Sequence, residues 1–233
     1  VSEGLYPFIL VGYMLATHYD AVVTNPPYMG ASGMGVKLSK YVKDNYPDSK
    51  SDLFAVFIEK CGQMAKKNGY QAMITQHAWM FLSSFEKLRN KLQMIDIVNM
   101  AHLGPRAFEE IAGEVVQTTS FIMQNSYIEG YKGIYCRLIA PTTQQGKEKM
   151  FLDKKNRYHT EQRNFSKIPG SPVAYWASET ILNAYNKGEL VGDISDVKIG
   201  MGTGKNEIFV REWWEVEYNK IDFTLTSMNE LDN

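Results

Sequence analysis

The spacing of apolar positions changes rhythm along the chain and outlines an alternation of strands and helices. Ala21, Val22 and Val23 form a short β-branched run without polar alternation, the pattern of a central parallel strand covered on both faces. Asn25-Pro26-Pro27-Tyr28 ends it abruptly, because each proline lacks a ladder N–H and has a fixed φ. Leu53, Phe54, Val56, Phe57, Ile58, Cys61, Met64 and Ala65 then recur at helical spacing behind a capping Ser51 or Asp52. Lys66 and Lys67 fall in the last turn of that helix, and Gly69 closes it. Residues 70–75 read as the next strand, giving a strand–helix–strand unit with a right-handed crossover. Ser83 or Ser84 opens a second helix through Phe85, Leu88, Leu92 and Met94, and residues 95–101 form a third strand. Residues 115–123 and 127–139 are two more strands, the second after a turn near Gly130. Ahead of all these, residues 4–16 are apolar but interrupted by Pro7 and Gly12, which predicts a short helix or an irregular lead-in.

Beyond residue 139 the periodicity weakens. Gln, Lys, Arg and Asn dominate residues 140–164, where Lys147, Lys149, Lys154, Lys155, Arg157 and Arg163 make the most basic stretch of the chain. A solvated connector with some helix is favoured there over a DNA-facing surface. Pro169, Gly170 and Pro172 punctuate the chain, and residues 175–185 read as an amphipathic helix ending at Gly188.

Composition narrows the class without identifying it. The 233 residues, 44% hydrophobic and 22% charged, describe an ordinary soluble globular protein of one domain or one and a half, long enough to bury a core. No apolar stretch approaches a membrane span and no targeting signal is evident, so the cytoplasm is the default. Cys61 and Cys136 lie far apart and outside any CxxC, which argues against a zinc site or a disulfide framework; no metal is expected. The net charge of -1 says nothing about partners, and any basic patch must come from folding. Neither glycine cluster is a phosphate loop: Leu38 stands where Gly33-x-Gly35 needs its third glycine, while around Gly204-Lys205 the first glycine is Ile199 and the Ser/Thr is Asn206. Gly30, Gly33 and Gly35 instead suit a loop closing over a substrate, with Lys37, Lys40, Lys43 and Lys50 as candidate phosphate contacts or plain solvated charges.

The chemistry concentrates in Asn25-Pro26-Pro27-Tyr28. At the carboxyl end of a parallel strand, where open α/β sheets bind ligands, a carboxamide oxygen and a proline carbonyl can each accept one N–H of an amine. That draws a delocalised amino nitrogen towards tetrahedral geometry and frees its lone pair for attack on an electrophile. Asn suits a neutral amine that must be oriented without prior deprotonation, and Tyr28 offers a face for stacking a planar group. The structural alternative is a turn with an aromatic plug.

Asp20-Ala-Val-Val-Thr-Asn-Pro-Pro-Tyr28 resembles the catalytic motif of S-adenosylmethionine-dependent amino-methyltransferases, above all those that methylate DNA adenine at N6. His102-Leu-Gly-Pro-Arg-Ala-Phe-Glu-Glu110 carries a second resemblance. There the family offers an aromatic opposite the catalytic Tyr across a flipped base, and Phe108 matches that position, with a core plug the equal alternative. Gly202-Thr-Gly204 with Phe209 is similar to the approach to the target-recognition region in the large adenine methyltransferases of bacteriophage-exclusion and type IIG restriction–modification systems. The resemblance implies an α/β fold, the second half of a Rossmann-like methyltransferase sheet, with three parallel strands closed by an antiparallel hairpin strand. It divides the chain into 1–139, the later half of a catalytic domain; 140–192, a connector; and 193–233, the truncated start of a target-recognition region. It implies S-adenosyl-L-methionine as cofactor, double-stranded DNA with a flipped adenine as partner, and further subunits of a defence system. The family's cofactor motifs precede the Asn-Pro-Pro-Tyr strand, so cofactor-binding residues are expected upstream of residue 1 and this chain alone is expected to be inactive. His77, at the end of residues 70–75, reads as structural before it reads as a pocket residue. Two other functions share the motif or the fold: methylation of a protein glutamine amide or of ribosomal RNA, and a non-catalytic scaffold.

Overall fold

The computed structural model describes residues 2–108, 116–189, 191–195 and 210–221. Two units are distinguished, Val1–Gly188 and Glu189–Asn233. The first opens with α1 (Ser2–Ala16), a continuous helix that retains Pro7 inside it. Neither the proline nor Gly12 breaks it. Strand β1 (Tyr19–Thr24) follows and stops one residue before Asn25. After α2 (Val36–Asn45) comes α3 (Leu53–Met64), whose Asp52 cap accepts the Phe54 N–H and whose inner face buries Phe54, Ala55, Val56, Ile58 and Cys61. Strand β2 (Ala65–Gln76) then pairs in parallel with β1, closing the crossover unit that the periodicity outlined.

Two local features depart from the sequence reading. The residues placed in the last helical turn, Lys66 and Lys67, belong to β2, because α3 ends at Met64. The β1–β2 register jumps from Tyr19↔Ala65 to Ala21↔Tyr70, so residues 66–69 bulge, with Asn68 at φ 64° and Lys66 paired to Asp20 at 2.9 Å. The second departure is larger. The sequence predicts a central β1 covered on both faces, whereas among the described residues it lies at the edge of the sheet, pairs only with β2 and leaves Val23 76% exposed. An apolar run specifies a strand but not the number of its neighbours, and among the described residues one edge of β1 has none.

The sheet has six strands in the order β1-β2-β4-β3-β5-β6. Helix α4 (Glu86–Leu92) leads into β3 (Asp96–Gly104), and β4 (Thr118–Gln124) inserts antiparallel between β2 and β3. Strands β1, β2 and β3 therefore run in the same direction, with the antiparallel strand inside the set. β5 (Lys132–Arg137) adds parallel to β3. Residues 140–164, expected as a connector, contain α5 (Gln144–Leu152) and β6 (Tyr158–Glu161), the latter antiparallel to β5. Lys147, counted among the basic residues there, is buried and donates to the carbonyls of Leu103 (2.6 Å) and Leu138 (2.8 Å) at the ends of β3 and β5. It fastens α5 to the sheet. Helix α6 (Glu179–Lys187), capped by Ser178, begins later than the amphipathic pattern suggested, because Tyr175 and Trp176 pack inward ahead of it. The core is built on Phe54, Ile58, Trp79, Phe121, Met123, Tyr135 and Tyr175.

The second unit contributes α7 (Val191–Ile194) and two short 3-10 turns, Trp213–Glu215 and Tyr218–Lys220. In the first turn the Glu212 N–H donates to Glu215 Oε2 at 2.9 Å, half of a reciprocal capping box. Gly202, Thr203, Gly204 and Phe209 lie outside the described residues. Among the described residues no helix is long and apolar enough to cross a membrane.

Arg89 ties the carboxyl end of β2 to a distant segment. Its guanidinium is buried and donates to the carbonyls of Trp79 (3.0 Å), Leu82 (2.7 Å) and Gly170 (2.6 and 3.0 Å). Arg89→Met leaves three carbonyls without that donor and should destabilise the fold by about 2–4 kcal/mol in urea unfolding. Arg89→Lys should recover only part, since an ammonium cannot reproduce the planar fork. A loss below about 1 kcal/mol for the Met variant would contradict this role.

Candidate functional site

The sheet brings the ends of β1 and β2 together at one edge. Thr24, the last residue of β1, pairs with Met73, and β2 runs on to Gln76 before turning at His77. Pro26 and Pro27 can supply no ladder donor, so the chain leaves the sheet at Asn25. Pro26 is buried, while Asn25 is exposed and its carboxamide makes no hydrogen bond among the described residues. Asp52 catches the far side of the turn: Oδ1 accepts the Met29 N–H at 3.0 Å and the Phe54 N–H at 3.3 Å, and the Leu53 N–H donates to the Met29 carbonyl at 2.9 Å. One carboxylate thus caps α3 and anchors the residue after the tetrapeptide.

Tyr28 is half-buried and packs edge-on against Phe54, with centroids 6.1 Å apart and planes at 83°. Its hydroxyl is buried without a hydrogen-bond partner among the described residues, and burial raises its pKa. Phe108 is also half-buried. It lines a cleft of about 680 Å³ with Ala101, Leu103, Leu138, Lys147 and Phe151. Asn25, Pro26, Pro27 and Tyr28 are not among the residues lining that cleft. Residues 109–115, the rest of the Phe108 loop, lie outside the described residues.

A polar network that the sequence reading missed occupies the same end of the sheet. His77 Nδ1 and His102 Nε2 are 2.8 Å apart, and His102 Nδ1 lies 3.1 Å from the Tyr175 hydroxyl. Phe81 packs edge-on to His77, Trp176 stacks near His102 and Arg137 sits over the Trp176 ring at 4.8 Å. The His77 N–H donates to the Gln117 carbonyl at 2.9 Å, holding the end of β2 to the start of β4. No spacing signal could have joined residues 77, 102 and 175. Burial, helped by the neighbouring His77, Arg137 and Lys147, depresses the His102 pKa to about 4. Burial also lowers that of His77. Among the described residues no cluster of His, Cys, Asp and Glu could hold a metal ion.

Residues 6–105 match the model of the Eco57I restriction-modification methylase. The adenine-specific methyltransferase PglX of Lacticaseibacillus casei (strain Zhang) is 49% identical over 226 residues, covering 94% of this chain and 19% of that protein. The adenine-specific methyltransferase BrxX of Escherichia coli O9:H4 (strain HS) is 43% identical over 224 residues, covering 95% of this chain and 18% of that protein. The chain therefore spans about a fifth of the length of these curated relatives. Among solved structures, the Type ISP restriction-modification enzyme LlaGI, in complex with a DNA substrate mimic, gives a TM-score of 0.52 at 15% identity over 74% of this chain and 19% of that one. A DrdV–DNA complex gives 0.50 at 12% identity over 72% and 19%. These two likenesses establish the fold alone.

The His102 shift has a testable sign. Its folded pKa of about 4 lies below the usual imidazole value of 6.5, so between these pH values the unfolded chain takes up a proton that the native ring refuses. Stability contributed by the neutral ring is full above about pH 6.5 and is lost as pH falls towards 4, by on the order of 3 kcal/mol. Histidine NMR should show His102 neutral at pH 5. A midpoint near 6.5 would refute the assignment.

Proposed function

We propose that this chain, whose residues 6–105 match the model of the Eco57I restriction-modification methylase, supplies the amine-orienting edge of a DNA adenine-N6 methyltransferase. The observation that carries the reading is the exposed Asn25 carboxamide, without a hydrogen bond among the described residues, where the proline pair stops β1. In this reading Asn25 and the Pro26 carbonyl each accept one N–H of the adenine amino group, drawing its nitrogen out of conjugation. Pro27 keeps the chain turned away from the sheet, and Tyr28 stacks on the base once it is rotated out of the duplex. Phe108 serves as the second stacking face, recovering part of the unstacking cost. No strong general base is needed, because the amino proton leaves after the nitrogen becomes cationic.

The methyl group comes from S-adenosyl-L-methionine. Ala31–Gly33 does not fit as its cradle, being a 3-10 turn ahead of α2 and not a glycine-rich turn directly between a strand and a helix. The roles assigned to this chain are therefore those towards the amine alone. The partner is double-stranded DNA, with further subunits of a phage-defence or restriction–modification system alongside. Residues 193–233 are assigned to the start of a target-recognition region.

Asn25→Ala in the full-length protein should reduce methyl transfer to duplex DNA on the order of a hundredfold or more while leaving DNA binding intact. Retained transfer would overturn the assignment. Tyr28 separates stacking from hydrogen bonding. Tyr28→Phe removes a buried hydroxyl without a partner, and should raise stability by about 1 kcal/mol at nearly unchanged activity. Tyr28→Ala should cost about tenfold or more in activity through lost stacking. Equal losses for the two variants would show that the ring face is not what matters.

A further inference from the structure

The contacts of Tyr175, His102 and His77 determine which way their protons point. The Tyr175 side chain is enclosed: its ring stacks on Tyr135 with centroids 5.0 Å apart and is flanked edge-on by Tyr158 and Trp176. The hydroxyl's sole hydrogen-bond partner among the described residues is His102 Nδ1. A buried O–H left without an acceptor is costly, so its proton points at that nitrogen. His102 is neutral by virtue of its burial, and with Nδ1 accepting it must carry its one proton on Nε2. That proton is donated to His77 Nδ1, 2.8 Å away. His77 in turn carries its proton on Nε2, which has no partner among the described residues. The relay has one direction, Tyr175 to His102 to His77, and its open end is an N–H donor.

That donor stands on the residue directly after β2, at the strand end adjacent to the end of β1 and Asn25. Asn25 and Pro26 present acceptors for the amine. An N–H at the same edge is complementary to the lone pairs of the adenine ring nitrogens, which carry no proton. The other tautomer of His77 would present a lone pair to a lone pair. We infer that His77 donates a hydrogen bond from Nε2 to a ring nitrogen of the extrahelical adenine, with His102 and Tyr175 as positioning residues that hold it in the donating tautomer. This rests on the proposed function and adds a base-reading contact to it.

The relay and the contact are tested separately. In this chain labelled with 15N-histidine, NMR at pH 7 should show both rings protonated on Nε2, and Tyr175→Phe should release that bias. Protonation of His77 on Nδ1 in the unsubstituted chain overturns the relay, whether or not any activity is found. For the contact, kcat/KM is compared on duplexes carrying adenine or its 1-deaza, 3-deaza or 7-deaza analogue at the target. His77→Phe should lower kcat/KM on adenine about tenfold. One analogue should lower the unsubstituted enzyme by a similar factor yet cost His77→Phe nothing further. His77→Gln, which keeps an N–H donor, should recover most of the loss. If every analogue penalises the two enzymes equally, or a methylphosphonate backbone rather than an analogue abolishes the difference, the base contact is overturned. Absence of methyl transfer by the unsubstituted full-length protein instead overturns the functional reading and the base contact with it, while the NMR still decides the relay.

Discussion

A parallel ladder needs an N–H from alternate residues, and Pro26 and Pro27 have none to give. β1 therefore cannot run on through Pro26 and Pro27, it ends at Thr24, and the consequences spread outward from that point. Among the described residues the Asn25 carboxamide is left without a hydrogen bond at the rim, and the Pro26 carbonyl lies beyond the ladder. The residue after the tetrapeptide is caught by Asp52, the carboxylate that starts α3. Tyr28 is set against Phe54 of that helix by the same turn. The turn is thus held between the end of β1 and the start of α3, two elements joined to the same strand β2.

The other side of the site depends on long-range order. β4 inserts between β2 and β3, and the segment around Gly170 to Trp176 folds back over their ends. Arg89 grips that segment through the Gly170 carbonyl, and Tyr175 drives its hydroxyl into His102. Arg89 and Lys147 are buried cations neutralised by carbonyl dipoles rather than by carboxylates in these contacts. Such arrangements satisfy donors at fixed geometry and register one element against another, at a desolvation cost that the enclosed hydrogen bonds offset.

Local chemistry was legible in the sequence and long-range placement was not. The proline pair, the Asp52 cap and the apolar face of α3 each follow from residues within a few positions of one another, and all three stand in the structure. The edge position of β1 was missed because an apolar run cannot declare how many neighbours it has. Lys66 and Lys67 were assigned to a helix that ends before them, because a bulge at Asn68 follows from the β1 register. β6 and the buried Lys147 were hidden in a stretch whose composition is that of a solvated connector. The His77–His102–Tyr175 network joins residues 25 and 73 positions apart, beyond any periodicity. Phe108 lines a cleft to which Asn25, Pro26, Pro27 and Tyr28 do not contribute, a separation that no sequence pattern announces.

The claim at the centre of this account is that the edge built on Asn25 acts on an adenine amine of DNA. The most direct measurement offers the full-length protein labelled S-adenosylmethionine with duplex DNA, ribosomal RNA and a glutamine-bearing protein together, followed by hydrolysis and identification of the labelled product. Label recovered as N6-methyladenine from the DNA is the result the account predicts. Label in the RNA or on glutamine would keep the amine chemistry and contradict the substrate, and no label in any of the three would contradict the enzyme reading itself.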